Sequence, residues 1–255
     1  MKKLFILLCV FWLQNIKCQT KDSTWYLIDP IQLSKMPSQD KRSMDSILTL
    51  YHSSKTDTAK LRLLFTMSES IKDNNIWHEY TKRIIPLCIN KSERIYQYYY
   101  AKALNNLGFS ARLKGEMSSA YKLYNQALKI RLAINDRAGI SESYHNIGVF
   151  YQLRNENEAA LENLLNALKI EKELNQIQSL SGTYGNIGII YLRQGEIEAA
   201  IPYLDNSLKY ALALNDPDQI ADAYNYLGEA YMSDDNYDDA ITCYTSALNH
   251  ADSTN

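Results

Sequence analysis

The chain of 255 residues has few of the residue types that most often carry chemistry. It contains four histidines and four cysteines, which are scattered and have no partners at metal-ligand spacing, so we expect no metal site. Its formal net charge is only −2, and it has no basic block. Nucleic-acid binding therefore lacks its usual electrostatic footprint, and we expect no nucleic-acid partner.

Signatures of catalysis are also missing. The sequence has no phosphate loop, no nucleophile elbow and no convergent set of titratable residues. The acidic run at 234–239 fails as a calcium loop because Asp239 stands where the turn needs glycine, and Thr245 replaces the closing glutamate. We predict a protein that is not an enzyme and has no catalytic residue and no cofactor.

Long apolar runs are absent after Leu13, so we expect no membrane span in the mature chain. The basic start at Lys2 and Lys3 and the apolar run 4–13 predict a signal peptide over residues 1–18. The protein would then be exported, either periplasmic or secreted, with a net charge of about −5. A lipid anchor at Cys18 is the disfavoured alternative, because Lys17 directly precedes it.

What the sequence does have is a repeat of forty residues. Glycines recur at this spacing, and each is followed after twelve residues by alanine and after sixteen by tyrosine or leucine. Self-similarity at a fixed period in this range indicates an array of stacked units. The glycines are Gly108, Gly148, Gly188 and Gly228.

Within each unit the apolar spacing is that of two helices. Glycine inside a helix costs about 1 kcal/mol relative to alanine, so its recurrence needs a packing reason. We expect close approach of the first helix to the large side chain sixteen residues further on. Short breaks containing Gly115, Asn155, Gly195 or Asp235 predict a tight turn between the two helices.

This pattern resembles the tetratricopeptide repeat. The run 146–151, ending in Gly148-Val149-Phe150-Tyr151, with Ala160 and Leu164 after it, is a close match, and the resemblance covers residues 97–255. The family's usual period is 34, so forty residues imply its long form, similar to the exported repeat regions of bacterial signalling proteins. The resemblance implies an all-α fold: a right-handed superhelical solenoid of helix-turn-helix repeats.

The repeats predict the organisation of the whole chain. An irregular lead-in is expected over 19–39, because this segment contains Pro30 and Pro37 and has mixed polarity. It and a degenerate helical repeat or cap over 40–96 would precede four regular units, at 97–136, 137–176, 177–216 and 217–255. The last unit has no polar capping helix after it, which suggests self-association through this end.

The first helices of such solenoids line the inner wall, where a ligand would bind. Side chains three and two positions before each glycine should point into this groove, and two arginines lie near it. The candidate peptide-binding residues are Asn105, Asn106, His145, Asn146, Asn186, Asn225, Tyr226, Arg112 and Arg193. Asparagine can pair with the donors and acceptors of a peptide backbone. It can equally bond to neighbouring helices and fix the stacking.

These features favour a non-enzymatic scaffold that binds a protein or peptide along the groove. The alternative is a truncated or stand-alone sensor region of a bacterial signal-transduction protein. A histidine kinase or DNA-binding output domain would then be absent from this chain.

Overall fold

The computed structural model describes residues 21, 23–71 and 74–252. The predicted signal peptide lies outside this part. Every regular element among the described residues is a helix, and there are thirteen. The chain divides into two compact units between Leu87 and Cys88. The fold is therefore all-α, as the sequence predicts.

The first unit contains five helices. They are α1 (Ser23–Tyr26), α2 (Pro30–Lys35), α3 (Ser38–Ser53), α4 (Asp57–Ser70) and α5 (Asn74–Cys88). The expectation of an irregular segment over 19–39 was wrong, because α1, α2 and the start of α3 lie there. Pro30 is the first residue of α2, and Pro37 directly precedes α3 at its N-cap position. Proline is well tolerated at a helix start, so both residues begin helices where they were expected to interrupt them.

A buried chain of tyrosines joins α1 to the longer helices of this unit. The Tyr80 hydroxyl donates to the carbonyl oxygen of Tyr26 at 2.7 Å. The Tyr26 hydroxyl in turn donates to Asp45 at 2.9 Å, and burial followed by this bond raises the pKa of Tyr26 to about 12. Ser68, forty residues before Gly108, is buried on α4, and Ile84 is fully buried on α5.

The second unit consists of four helical hairpins. These are repeat 1, α6 (Arg94–Leu113) and α7 (Met117–Ala133); repeat 2, α8 (Arg137–Leu153) and α9 (Asn157–Glu173); repeat 3, α10 (Ile177–Gln194) and α11 (Ile197–Leu214); and repeat 4, α12 (Pro217–Ser233) and α13 (Tyr237–Asp252). The second helix of each hairpin packs on the first helix of the next. The first helices of successive hairpins also contact each other. The repeats therefore stack in sequence order, as in a solenoid.

The recurring glycines lie where the two helices of each hairpin approach closely. A Cβ atom on Gly148 would stand 2.7 Å from the Leu164 side chain, and one on Gly188 would stand 2.7 Å from Leu204. The corresponding distances are 2.7 Å for Gly108 against a tyrosine and 2.8 Å for Gly228 against another tyrosine. The predicted packing reason is confirmed in all four hairpins.

Left-handed residues end the first helix of every hairpin. Gly115 and Gly195 have φ of 76° and 78°, and Asn155 and Asp235 have φ of 58° and 57°. Glycine adopts this conformation without strain, and asparagine and aspartate tolerate it. The three turns between hairpins use the same device, at Asn135, Asn175 and Asn215.

The two glycines of α10 that differ most in surroundings allow a direct stability test. We expect Gly188→Ala to lower the free energy of unfolding by about 1–2 kcal/mol, because the new Cβ would overlap Leu204. Gly182→Ala should instead raise it by up to about 1 kcal/mol, because helix propensity improves and the nearest atom to the new Cβ is 3.9 Å away. Urea unfolding of both variants measures the contrast. Equal effects would contradict the close-approach explanation.

Candidate functional site

The residues predicted to line the inner wall lie on the first helices of the four hairpins. We define the first-helix face as the residues six, three and two positions before each recurring glycine. These are Lys102, Asn105, Asn106, Glu142, His145, Asn146, Gly182, Gly185, Asn186, Asp222, Asn225 and Tyr226. The polar groups that pack beneath this face differ at each junction between repeats.

At the junction of repeats 1 and 2 lies a buried arginine. Arg131 projects from α7 with none of its surface exposed. Its guanidinium donates to Glu142 at 2.7 Å, to the Ser143 hydroxyl at 2.7 Å and to the Asn105 amide oxygen at 3.4 Å. Burying a charge is costly unless it is paired and hydrogen-bonded, and this cluster binds both terminal nitrogens of the guanidinium. Nε is buried without a hydrogen-bond partner among the described residues.

Two of the predicted asparagines belong to this cluster. Asn105 is 3% exposed, and its amide nitrogen donates to Glu142 at 2.7 Å. Asn146 donates to the Asn105 amide oxygen at 3.0 Å. These two residues therefore stabilise the contact between repeats 1 and 2, which is the stacking role that the sequence left open.

A different polar chain fills the junction of repeats 2 and 3. The Thr183 hydroxyl donates to Glu171 at 3.1 Å, so it accepts from His145 Nδ1, which lies 2.8 Å away. Burial raises the pKa of Glu171 to about 7, although the bond from Thr183 acts in the opposite direction. Burial, and secondarily the charge of Arg112, lowers the pKa of His145 to about 4. Thr183, at the centre of this chain, is fully buried.

The junction of repeats 3 and 4 holds an open cavity of about 190 Å³. The predicted residues Asn186 and Tyr226 both line it, together with Asp222. Its remaining walls are mainly small or polar side chains: Ser181, Gly182, Gly185, Ile189, Ser207, Gln219 and Ala223. A cavity of the same volume opens at the junction of repeats 1 and 2, beside Lys102, Arg131 and Glu142, but none of the predicted residues lines it.

The other predicted residues are spread along the array. Asn106 is half-buried and Asn225 is exposed. Arg112 lies 4.9 Å above the ring of Phe109, and Arg193 is exposed on α10. Seven of the nine predicted residues belong to the first-helix face, and Arg112 and Arg193 follow the glycines of their helices instead. Of the nine, Asn186 and Tyr226 line the cavity.

The sequence reasoning missed the position that decides what each junction contains. That position lies twenty-three residues after the glycine, on the second helix, and is Arg131, Glu171 and Ala211 in repeats 1 to 3. All three residues are buried. Comparing this position across the repeats would have shown a charge present twice and then replaced by alanine.

Neither a metal centre nor a membrane-spanning helix is found in the described part of the chain. Within it, no group of three or more histidine, cysteine or acidic side chains is placed to hold a metal ion. Over the same residues, no helix combines the length and apolarity that crossing a bilayer requires.

Comparison with known families decides the classification. The family model described as tetratricopeptide repeat matches residues 99–173 and 179–253, which together make up more than half of the chain. The chain belongs to the tetratricopeptide repeat family. Tetratricopeptide repeat arrays are scaffolds typical of protein-interaction modules and are generally not catalytic, so protein partners are expected of this one.

Solved structures show the same tetratricopeptide repeat fold at low sequence identity. BtubC (BKLC) from P. vanneervenii is 17% identical, with a TM-score of 0.69, and the match covers 87% of this chain and 92% of that one. Aspartyl phosphate phosphatase F from Bacillus subtilis is 13% identical, with a TM-score of 0.61 and coverage of 94% and 86%. A protein from Podospora anserina whose TPR-like repeats are nearly identical to one another is 13% identical to this chain, with a TM-score of 0.56 and coverage of 79% and 99%. Comparison with curated sequences finds no match.

The last described helix of the tetratricopeptide repeat array carries an apolar stripe. Ile241 and Leu248 of α13 are 63% and 61% exposed. In repeat 2 the equivalent Leu161 is half-buried and Leu168 is buried, because the next repeat packs there. Self-association through this end stays a prediction.

Proposed function

We propose that this protein is a non-enzymatic scaffold that binds a peptide segment of a partner along its first-helix face. The observation that carries the proposal is the cavity between repeats 3 and 4, which opens beside Asn186 and Tyr226. At the first junction the residues equivalent to Gly185, Asp222 and Ala223 are already bonded to Arg131, and the cavity of about 190 Å³ beside them is lined by none of the predicted residues. The ligand would therefore be anchored towards the C-terminal half of the array.

The chemistry of the cavity wall suits a peptide. Asn186 offers both a donor and an acceptor, Ile189 offers apolar surface and Tyr226 offers an aromatic ring. Ligand sites generally combine apolar walls with a few convergent polar groups in this way. A side chain could enter the cavity while the peptide backbone bonds along the face.

We further propose that the protein acts after export from the cytoplasm. The support is the sequence of residues 1–18, in which two lysines precede a ten-residue apolar run. A partner would then be sought among exported proteins or in the periplasm.

Site-specific photocrosslinking tests the binding face. A photoreactive phenylalanine analogue at the exposed position Asn225 should crosslink a partner in exported-protein extract. The same analogue at Glu162, exposed on the second helix α9, serves as the control. Asn186→Ala should weaken capture by roughly 3- to 10-fold, since it removes an amide that bonds to the ligand.

Two results would contradict the proposal. One is crosslinking that is as strong from Glu162 as from Asn225. The other is partner capture unchanged by Asn186→Ala in a protein of unaltered helicity. Either would show that the partner binds elsewhere on the array.

A further inference from the structure

The repeats present the same positions three times, which allows the cavity to be compared with its own equivalents. Four positions form each junction, and each is related to the next by forty residues. At the first junction they are Asn105, Arg131, Glu142 and Ser143; at the third they are Gly185, Ala211, Asp222 and Ala223. The two sets occupy corresponding places in their hairpins.

The third junction lacks the arginine of the first junction but keeps its carboxylate. Arg131 is replaced by Ala211, and the residues that contact its guanidinium from the sides become Gly185 and Ala223. The acidic position is kept, as Glu142 at the first junction and Asp222 at the third. The carboxylate therefore remains while the arginine that it binds at the first junction is absent.

We propose that the cavity between repeats 3 and 4 binds the guanidinium of an arginine side chain supplied by the peptide ligand. The ligand's arginine would take the place that Arg131 takes at the first junction, with Asp222 in the role of Glu142. This inference rests on the proposed peptide-binding function and names the side chain that anchors the peptide.

The size of the cavity fits one such group. A cavity of about 150 Å³ can hold a benzene ring, and a guanidinium is a smaller planar group. The volume here is about 190 Å³, and the space is open because Gly185 and Ala223 are smaller than Asn105 and Ser143 at the first junction. A Cβ on Gly185 would stand 3.0 Å from the Ser207 hydroxyl, so even alanine would narrow the cavity.

The electrostatics favour a cation. None of the described residues that line the cavity is a lysine or an arginine. Burial raises the pKa of Asp222, and the nearby charges of Asp218 and Asp216 raise it further. A bound cation would relieve this repulsion, because an opposite charge within a few ångströms stabilises a carboxylate.

The remaining acceptors favour arginine over lysine. Asn186, Ser181 and Ser207 line the cavity together with Asp222. Each serine hydroxyl donates to the backbone carbonyl oxygen of the other serine, so its own oxygen is left to act as an acceptor. The planar guanidinium has five donors in a fixed arrangement and can address several acceptors together. It can also stack on an aromatic ring such as that of Tyr226. An ammonium group is more compact and more strongly hydrated, so it gains less in such a site.

The test uses purified protein and three capped tripeptides, Gly-Arg-Gly, Gly-Lys-Gly and Gly-citrulline-Gly. Citrulline has nearly the shape of arginine but no charge. We expect saturable binding of the arginine peptide in calorimetry or NMR titration, with the citrulline peptide roughly 10- to 100-fold weaker. Asp222→Asn should weaken the arginine peptide by a similar factor, whereas the matched change Asp218→Asn outside the cavity wall should have a small effect.

A second variant fills the cavity from within. The double change Ala211→Arg with Gln219→Gly restores the internal arginine of the first junction and should abolish binding of the arginine peptide. The second change is needed because Gln219 stands where Gly139 does at the first junction, and a Cβ on Gly139 would lie 2.6 Å from Arg131 Nε. Ala211→Met adds volume without charge and shows how much of the loss is steric. If the double variant does not fold, the citrulline peptide and Asp222→Asn still decide the question.

Three outcomes would overturn the inference: no saturable binding of the arginine peptide at millimolar concentration, equal binding of the arginine and citrulline peptides, or equal binding of the lysine peptide. Failure of the proposed function is separately visible. In that case crosslinking from Asn225 fails while the arginine peptide still binds the pure protein. If instead the face captures its partner but does not distinguish arginine, only the assignment of arginine to the cavity fails.

Discussion

Replacing Arg131 with alanine is expected to lower the free energy of unfolding by about 3 kcal/mol, because a large, fully buried side chain and its three hydrogen bonds are lost. The arginine is fully buried between repeats 1 and 2, and it bonds to Glu142, Ser143 and Asn105. Alanine would leave a cavity and remove the charged donor from all three partners. Losses of this kind exceed those of ordinary surface substitutions.

Two further variants separate the causes. Arg131→Met keeps most of the buried volume and should recover a large part of the lost stability, because it avoids the cavity and leaves the half-exposed Glu142 to be solvated. Arg137→Ala, which removes an exposed arginine paired with Glu173, should cost less than about 1 kcal/mol. Urea unfolding monitored by circular dichroism measures all three variants. A cost for Arg131→Ala as small as that for Arg137→Ala would contradict the cluster's stabilising role.

Replacing Glu171 with glutamine is expected to change how stability depends on pH. The pKa of Glu171 is raised from 4.5 to about 7, so the folded protein binds more protons than the unfolded chain between these values. Its contribution to stability therefore falls as the pH rises through this window. The difference in unfolding free energy, variant minus wild type, should grow by about 3 kcal/mol between pH 4.5 and pH 7.5.

His145 acts in the opposite direction over nearly the same range. Its pKa is lowered from 6.5 to about 4, so its contribution to stability rises as the pH increases between these values. The two groups offset each other in the wild type, and Glu171→Gln exposes the rise due to His145. Unfolding measured at several pH values, with Glu162→Gln as the exposed control, checks this. Parallel pH profiles for wild type and Glu171→Gln would rule it out.

The hairpins could be predicted from the sequence because their determinants are local. Gly188 and Leu204 are separated by sixteen residues and meet within one hairpin, so their spacing reveals their contact. The left-handed residues that end helices, such as Asn155 and Gly195, are also read directly from residue type. The segment over 19–39 was misjudged because proline interrupts a helix but also starts one, and only its position in the fold decides between the two.

The site was predicted only in part because its determinants lie between hairpins. Asn105 and Asn186 stand at neighbouring positions on the same kind of helix, yet the first is held by Arg131 and the second lines a cavity. The difference depends on residues of another helix, twenty-six positions away for Asn105 and Arg131. A pattern within one helix cannot show which asparagines are already engaged.

The three junctions between repeats share a backbone arrangement but differ in the side chains that they bury. Each repeat touches only its neighbours, so the strength of one junction can change without disturbing the others. The third junction lacks the buried arginine of the first and the polar chain of the second, and its cavity opens beside Asp222 and Tyr226. A ligand that fills this cavity would contribute the attachment energy that the protein omits there, so occupancy would hold the last hairpin in place. Ligand binding in this array would thus depend on side chains that the third junction lacks, because the ligand would make the contacts that those side chains make at the first junction.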